Sequence, residues 1–350
     1  MKPAPAIERY RFNDIFSRFS KKSMLRYYSL SSHTRQHYGK RVQKIPLDGG
    51  FSCPNRDGTI SREGCIFCNP RGSGSGFGKK GMTFAEQWQF WREIHIKHNK
   101  LELFTAYLQS YSNTHGPIKK LAATLKALEG LPDLESLSLG TRPDCLDDAK
   151  LDLLAEQKET LGLSEVSLEL GLQSANNDTL ARINRGHTAE DFASAVEAAT
   201  SRGLNVVAHI IAGLPTENGK EGKKELLESI DFINALPVHG IKFHNLYVCR
   251  DTNLAKLYET GKYTPMELPE FLSQLSAALM HLKPTTIIHR LNGNPLEGEL
   301  LAPSWAANMR RMHNTIRAYF KEHDIWQGKM NGAEEGIPEW FSPEYRGDIP

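Results

Sequence analysis

No stretch of this 350-residue chain approaches the ~18 consecutive apolar residues that a membrane-spanning helix requires. Its amino terminus has no apolar core of the kind a secretory signal carries, so a cytoplasmic location is expected. Cysteine is scarce and odd in number, at five, which argues against a disulfide framework and suits a reducing compartment. Core-forming residues are not scarce: 39% are hydrophobic against 24% charged, which excludes wholesale disorder. The length fits two ordinary domains or one large α/β barrel. No internal repeat stands out, and the low-complexity sequence amounts to the glycine-rich GSGSGFG at 72–78.

Acid is what the first 44 residues lack. Eleven Lys and Arg meet only Glu8 and Asp14 there, so this arm carries +9 in a chain whose net charge is +2. Tyr10, Phe12, Phe16, Phe19, Tyr27, Tyr28 and Tyr38 interleave with the basic residues. Cations neutralise phosphates and aromatic faces stack on bases, so the mixture suits RNA contact. A solvated amphipathic helix or an organelle transit peptide has similar composition, and both stay open.

Beyond the arm, short apolar or alternating runs recur: VQKIPL (42–47), LFTAYLQ (103–109), LESLSLG (134–140), EVSLELG (165–171), NVVAHIIAG (205–213) and IKFHNLYV (241–248). Segments of helical period lie between several of them, at 118–131, 151–162, 189–203 and 223–236. Strands spaced in this way with helices between them predict βαβ units and a parallel sheet. Six such units make an α/β fold of the partial (β/α)6, TIM-like kind. A further strand at 285–291 and a helix at 302–323 follow. The expected division is a basic aromatic extension at 1–40, the barrel at 41–284 and a carboxyl-terminal extension at 285–350.

Parallel barrels place their chemistry at the carboxyl ends of the strands. Polar residues collect there: Ser112, Asn113 and Thr114 after the second run, Arg142 and Asp144 after the third, Glu169, Gln173 and Ser174 at the fourth, His209 at the fifth and His244 at the sixth. After the first run comes GGFSCPNRDGTISREGCIFC. Eleven residues separate Cys53 from Cys65, and two separate Cys65 from Cys68. Thiolates are soft ligands for zinc or an iron–sulfur cluster. A structural zinc site is nearly always closed by four protein ligands, whereas three cysteines leave one iron of a [4Fe–4S] cluster open. Zinc would need His33 or His37 as its fourth ligand.

In order along the chain, YYSL, KIPLDGGFSCPNRDG, GCIFC, YLQSYSNTH, GTRPDCL, ELGLQS, INRGHT, HIIAGLP and HRLNGNP resemble the radical S-adenosylmethionine (SAM) superfamily. The likeness is to the stand-alone bacterial branch related to the Elongator catalytic subunit, which has a long gap between the first two cysteines. The resemblance implies a [4Fe–4S] cluster on Cys53, Cys65 and Cys68, with SAM on the open iron and an electron donor such as flavodoxin or ferredoxin. It implies further that Phe67 packs near the adenine and that Ser112, Asn113 and Thr114 stand where relatives cradle the methionine amino group. Glu169 would hold the SAM ribose or amino group, and Arg185 its carboxylate. Cys145 would donate hydrogen or capture an intermediate, unless it is an inert core thiol. The implied substrate is transfer RNA at the wobble uridine, with 5-carboxymethylaminomethyl-uridine converted toward 5-aminomethyl-uridine. A noncatalytic zinc-dependent RNA-binding protein and a radical SAM enzyme with a non-RNA substrate are the competing readings.

Overall fold

The computed structural model describes residues 26–69, 72, 77, 81–296 and 298–331. Most of the basic arm, most of the glycine-rich stretch and the chain beyond 331 lie outside the described residues. Seven strands form one sheet in chain order: β1 (Val42–Leu47), β2 (Leu103–Leu108), β3 (Leu134–Thr141), β4 (Glu165–Gln173), β5 (Asn205–Ala212), β6 (Gly240–Asn245) and β7 (Ile287–Arg290). Every pairing is parallel. Parallel pairing demands crossovers, and helices supply most of them. Eight helices carry labels below: α1 (Leu30–Tyr38), α2 (Phe84–Asn99), α3 (Ile118–Lys126), α4 (Asp148–Thr160), α5 (Ala189–Thr200), α6 (Lys223–Ala235), α7 (Leu268–His281) and α8 (Met309–Glu322).

Alternation along each strand decides which face meets the helices. Leu137 and Leu139 on β3, with Val166, Leu168, Leu170 and Leu172 on β4, are 0–1% exposed and belong to the main core. Burying a side chain of this size contributes about 1.5–3 kcal/mol, so this outer layer dominates stability. Residues between them point to the concave face, and these are polar or small: Ser138 and Gly140 on β3, Glu169, Gly171 and Gln173 on β4, His209 on β5. Start signals are local. Thr83 and Glu86 form a reciprocal capping box at α2, and Thr188 with Asp191 does the same at α5.

The sheet curls into a partial barrel whose edges, β1 and β7, do not pair with each other. Helix α1 packs on both edges. Ahead of it, the carbonyl of Tyr28 accepts a 2.7 Å bond from the Ile288 amide, so residues 28–29 run beside β7. Gln327, 2% exposed, fixes this closure: it accepts from the Tyr28 amide at 2.9 Å and donates to the carbonyls of Lys283 and Thr286 at 2.8 and 2.7 Å. Residues 26–40 thus lie against the barrel, and the strand expected at 285–291 is the seventh strand of the sheet.

Two expectations change in detail. The helix expected over 302–323 begins only at Met309. Leu300–Ala302 pairs antiparallel with Val248–Cys249, and Asn308 caps the helix by accepting from the Arg311 amide at 2.9 Å. The run IKFHNLYV is broken after Asn245, where the chain leaves the sheet before that short pairing.

Candidate active site at the carboxyl ends of the strands

The chain leaves β1 at Leu47 and reaches Cys53, which stands before the short helix Pro54–Asp57. Asn55 ties this loop across the barrel mouth. It is fully buried, and its Nδ2 donates to the carbonyls of Asn184 and Arg185 at 2.6 and 3.0 Å and approaches Cys65 Sγ at 3.6 Å. Arg56 Nη2 donates to the carbonyls of Cys68 and Asn69 at 2.6 and 2.8 Å, which holds the CIFC turn. Arg185 donates from Nη2 to the carbonyl of Gly171 at 2.8 Å, and its Nη1 lies 3.7 Å from Cys65 Sγ. The two central links run from β4 through Arg185 to Cys65, and from Asn55 to the Arg185 loop.

Arg56 and the CIFC turn hold the three cysteine segments together: the Arg56 amide donates to the carbonyl of Cys53 at 2.8 Å, its guanidinium reaches the carbonyl of Cys68 at 2.6 Å, and the Cys68 amide donates to the carbonyl of Cys65 at 3.0 Å. Burial pushes Cys53 up; Asn55 and Arg142 oppose this, and Cys65 adds to it. Burial also raises Cys68, reinforced by Cys65 and opposed by Arg56. Arg56, Arg142 and Arg185 therefore surround a region that thiolates would make strongly anionic. Arg142 is paired to Asp144 at 2.8 and 2.9 Å, yet its Nη1 is buried without a partner. Asn55 Oδ1 and Asn113 Oδ1 are also buried and unpartnered. Orphaned donors and acceptors in one mouth suit a polar ligand carrying both signs of charge.

Among the described residues, no three His, Cys, Asp or Glu side chains are gathered as a single metal ion would require. Neither histidine proposed as a fourth zinc ligand is near the cysteines. His33 bonds Tyr28 Oη at 2.9 Å and lies 3.9 Å from Glu165, the first residue of β4, while its ring is 4.2 Å from that of His37. Arg185 and Cys65 meet β4 six residues later, about 20 Å along the strand. The thiols and these histidines occupy opposite ends of the barrel.

The remaining expected residues divide between mouth and interior. Ser112 and Thr114 hydroxyls both meet Thr141 Oγ1, at 3.0 and 2.6 Å, and Asn113 Nδ2 donates to the carbonyls of Leu108 and Gly140 at 2.9 and 2.8 Å. Their side chains brace the loop after β2 against β3. Phe67 is half-buried on a second apolar cluster that contains Leu180, Ile183 and Leu246. Cys145 is buried beside Ser112, and burial pushes its thiol up to about 11, so it is protonated at neutral pH.

Glu169 lies deeper. Its side chain is fully buried and forms ion pairs with Lys44 of β1 and Lys242 of β6. It also accepts from Ser138 at 3.0 Å and meets His209 Nε2 at 3.2 Å. Burial alone would raise its pKa, but Lys242, Lys44 and His209 outweigh that and hold the carboxyl well below its ordinary range. Lys44, Lys242 and Tyr107 are functional candidates that sequence reading missed. A signal was present, because Lys44 and Lys242 are charges placed inside otherwise apolar strand runs.

Comparison with known proteins agrees with this geometry. Residues 57–232 match the model of the Radical SAM superfamily, and residues 238–322 match that of the Radical SAM C-terminal domain. Protein YhcC of Escherichia coli K12 is 36% identical over 315 residues, which cover 88% of this chain and 94% of that protein. A tRNA uridine(34) acetyltransferase of Methanocaldococcus jannaschii is 30% identical over 146 residues, 41% of this chain and 25% of that protein. The archaeal Elp3 of Methanocaldococcus infernus, solved with residues 1–46 deleted, superposes with a TM-score of 0.60 at 18% identity, covering 72% of this chain and 62% of that one, which shows a shared fold. A matching family model over half the chain, a full-length relative and the same curled sheet lead to one conclusion: the chain belongs to the radical SAM superfamily and is an enzyme of it.

Proposed function

We propose that the enzyme holds a [4Fe–4S] cluster on Cys53, Cys65 and Cys68 and uses SAM to modify the wobble uridine of transfer RNA. The observation that carries the reading is that Asn55, Arg56 and Arg185 tie the Cys53 loop and the Cys65–Cys68 turn together at the mouth of the barrel. Bound cluster and SAM supply reductive cleavage of the sulfonium and a 5′-deoxyadenosyl radical, with flavodoxin or ferredoxin as the electron source. The protein's part is binding, orientation and exclusion of water. Arg185, anchored on Gly171, would hold the carboxylate of SAM, and Asn113 Oδ1, buried without a partner, would accept from its amino group. Ser112 and Thr114 shape the same loop, and Phe67 would wall the adenine side. Protonated Cys145 stands ready as a hydrogen donor. Glu169 is assigned to fixing the two lysines rather than to SAM, because its side chain is fully buried among Lys44, Lys242, Ser138 and His209.

Transfer RNA is supported by the relative named as a tRNA uridine(34) acetyltransferase and by the basic aromatic arm. Conversion of 5-carboxymethylaminomethyl-uridine, with or without a 2-thio group, toward 5-aminomethyl-uridine in the cytoplasm is the reaction proposed. Nucleoside mass spectrometry of transfer RNA from a deletion strain should show the carboxymethylaminomethyl form accumulating. Unchanged wobble uridines would remove the substrate assignment.

A further inference from the structure

The concave face of the sheet carries more positive charge than its one central carboxylate balances. Lys44 and Lys242 converge on Glu169, and both ammoniums also lie over the ring of Tyr107, at 5.0 and 4.6 Å from its centroid. Arg290, an exposed residue of β7 and the register partner of Lys242, forms no ion pair among the described residues. Its charge nevertheless acts on Tyr107, Lys242, His209 and His244, so it borders the same space. The histidines cannot offset or augment this charge at neutral pH. Burial drives His209 down to about 4, and it takes His244 and His289 well below their ordinary value.

Two lysines converge on one carboxylate with an exposed arginine at their rim, so an arriving anion gains energy there by completing their charge balance. The space is reachable, since the side chains of Lys44 and His209 keep 19% and 21% of their exposure inside the curl of the sheet. His244 Nε2 is buried there without a partner. Glu169 and Gly171 share the concave face of β4, about 7 Å apart, and the Gly171 carbonyl holds the arginine beside Cys65. An anion on the lysines would therefore sit one layer below the thiols.

We propose that the barrel interior is a carboxylate-binding pocket in which Lys44, Lys242 and Arg290 receive an anionic group of the substrate, held beneath the cluster site. A carboxylate is favoured over a backbone phosphate because Lys242 is 5% exposed and only a slender side chain reaches it. Lys242 is pushed down to about 7, by burial first, so an incoming carboxylate would draw a proton onto it. The identity of the substrate as a modified uridine rests on the function proposed above; the pocket does not.

The test titrates the full-length protein calorimetrically with 5-carboxymethylaminomethyl-uridine and with its carboxamide. The carboxylate should bind at least about tenfold more tightly, as a charge-assisted hydrogen bond implies, with proton uptake from buffer at pH 8. Lys242→Met and Arg290→Gln, the second of which breaks no ion pair, should each shrink that ratio while SAM binding stays unchanged. Equal binding of the two nucleosides, or ratios untouched in both variants, overturns the pocket. So does an unchanged ratio accompanied by lost SAM affinity, which gives the cations to the cofactor. If neither nucleoside binds, carbon-13 acetate and inorganic phosphate are titrated by NMR. Acetate binding that disappears in Lys242→Met keeps the pocket and removes the uridine assignment; preference for phosphate, or no anion bound, overturns it.

Discussion

Replacing Glu169 by Gln leaves the packing nearly unchanged and removes the charge that Lys44 and Lys242 share. Stranding one buried partner of an ion pair costs about 3–5 kcal/mol. Two features bring the expected loss to the lower end. Lys44 keeps 19% of its side chain exposed and can turn to water, and Lys242, already brought down to about 7 by burial, can release its proton. The prediction is a loss of about 3 kcal/mol at pH 7, read by urea unfolding. A lysine whose folded pKa lies below the unfolded value of about 10.4 makes stability rise with pH between those two values. The deficit of the variant should therefore shrink at pH 9. In the native protein, Glu169 contributes stability above the ordinary carboxylate range, lost as pH falls below it; the variant should lack that part of the acid loss. A deficit under about 1 kcal/mol at pH 7, or one that grows at pH 9, would refute the reasoning.

Gly171→Ala places a methyl against Arg185 Nη2 and 2.6 Å from Gln173 Nε2, so the arginine must shift from its bond to the Gly171 carbonyl. Calorimetry should record weakened SAM binding in a protein that still unfolds cooperatively. Cys68→Ala should retain the circular dichroism of the native chain and fail to bind iron after reconstitution. Glu221 is pushed up to about 7, chiefly by burial, while it accepts from Ser174 at 2.6 Å. Its folded value lies above the unfolded one, so its contribution is full at acid pH and declines as pH rises through 7. Glu221→Gln should flatten that decline, with a gain on the order of 1–3 kcal/mol at pH 8 in urea unfolding.

The strands were legible because parallel strands buried on one face by leucine and valine read as short apolar runs, and all seven strands of the sheet lie where an expected run does. Helix α2 was not, since FAEQWQFWREIHIKHN mixes aromatics on several faces and leaves Phe90 and Ile96 exposed. The barrel edges were also hidden. Their bridging by α1 and Gln327 joins residues nearly 300 positions apart, and no local pattern announces it. Within the site, the cysteines declared themselves through spacing. Arg56 and Asn55 did not, because an arginine beside a glycine-containing turn looks like any solvated loop until the fold sets it against Cys68. Lys44 and Lys242 were visible as misfits in apolar strands, but only the curl of the sheet brings them onto one carboxylate.

The central claim is that three thiols form an open-cornered iron–sulfur site for SAM. The most direct measurement reconstitutes the full-length protein anaerobically with iron and sulfide, then quantifies bound iron and released 5′-deoxyadenosine after reduction with SAM present. The account predicts about four irons per chain and 5′-deoxyadenosine that depends on Cys53, Cys65 and Cys68. A colourless protein that holds zinc and leaves SAM intact would contradict it.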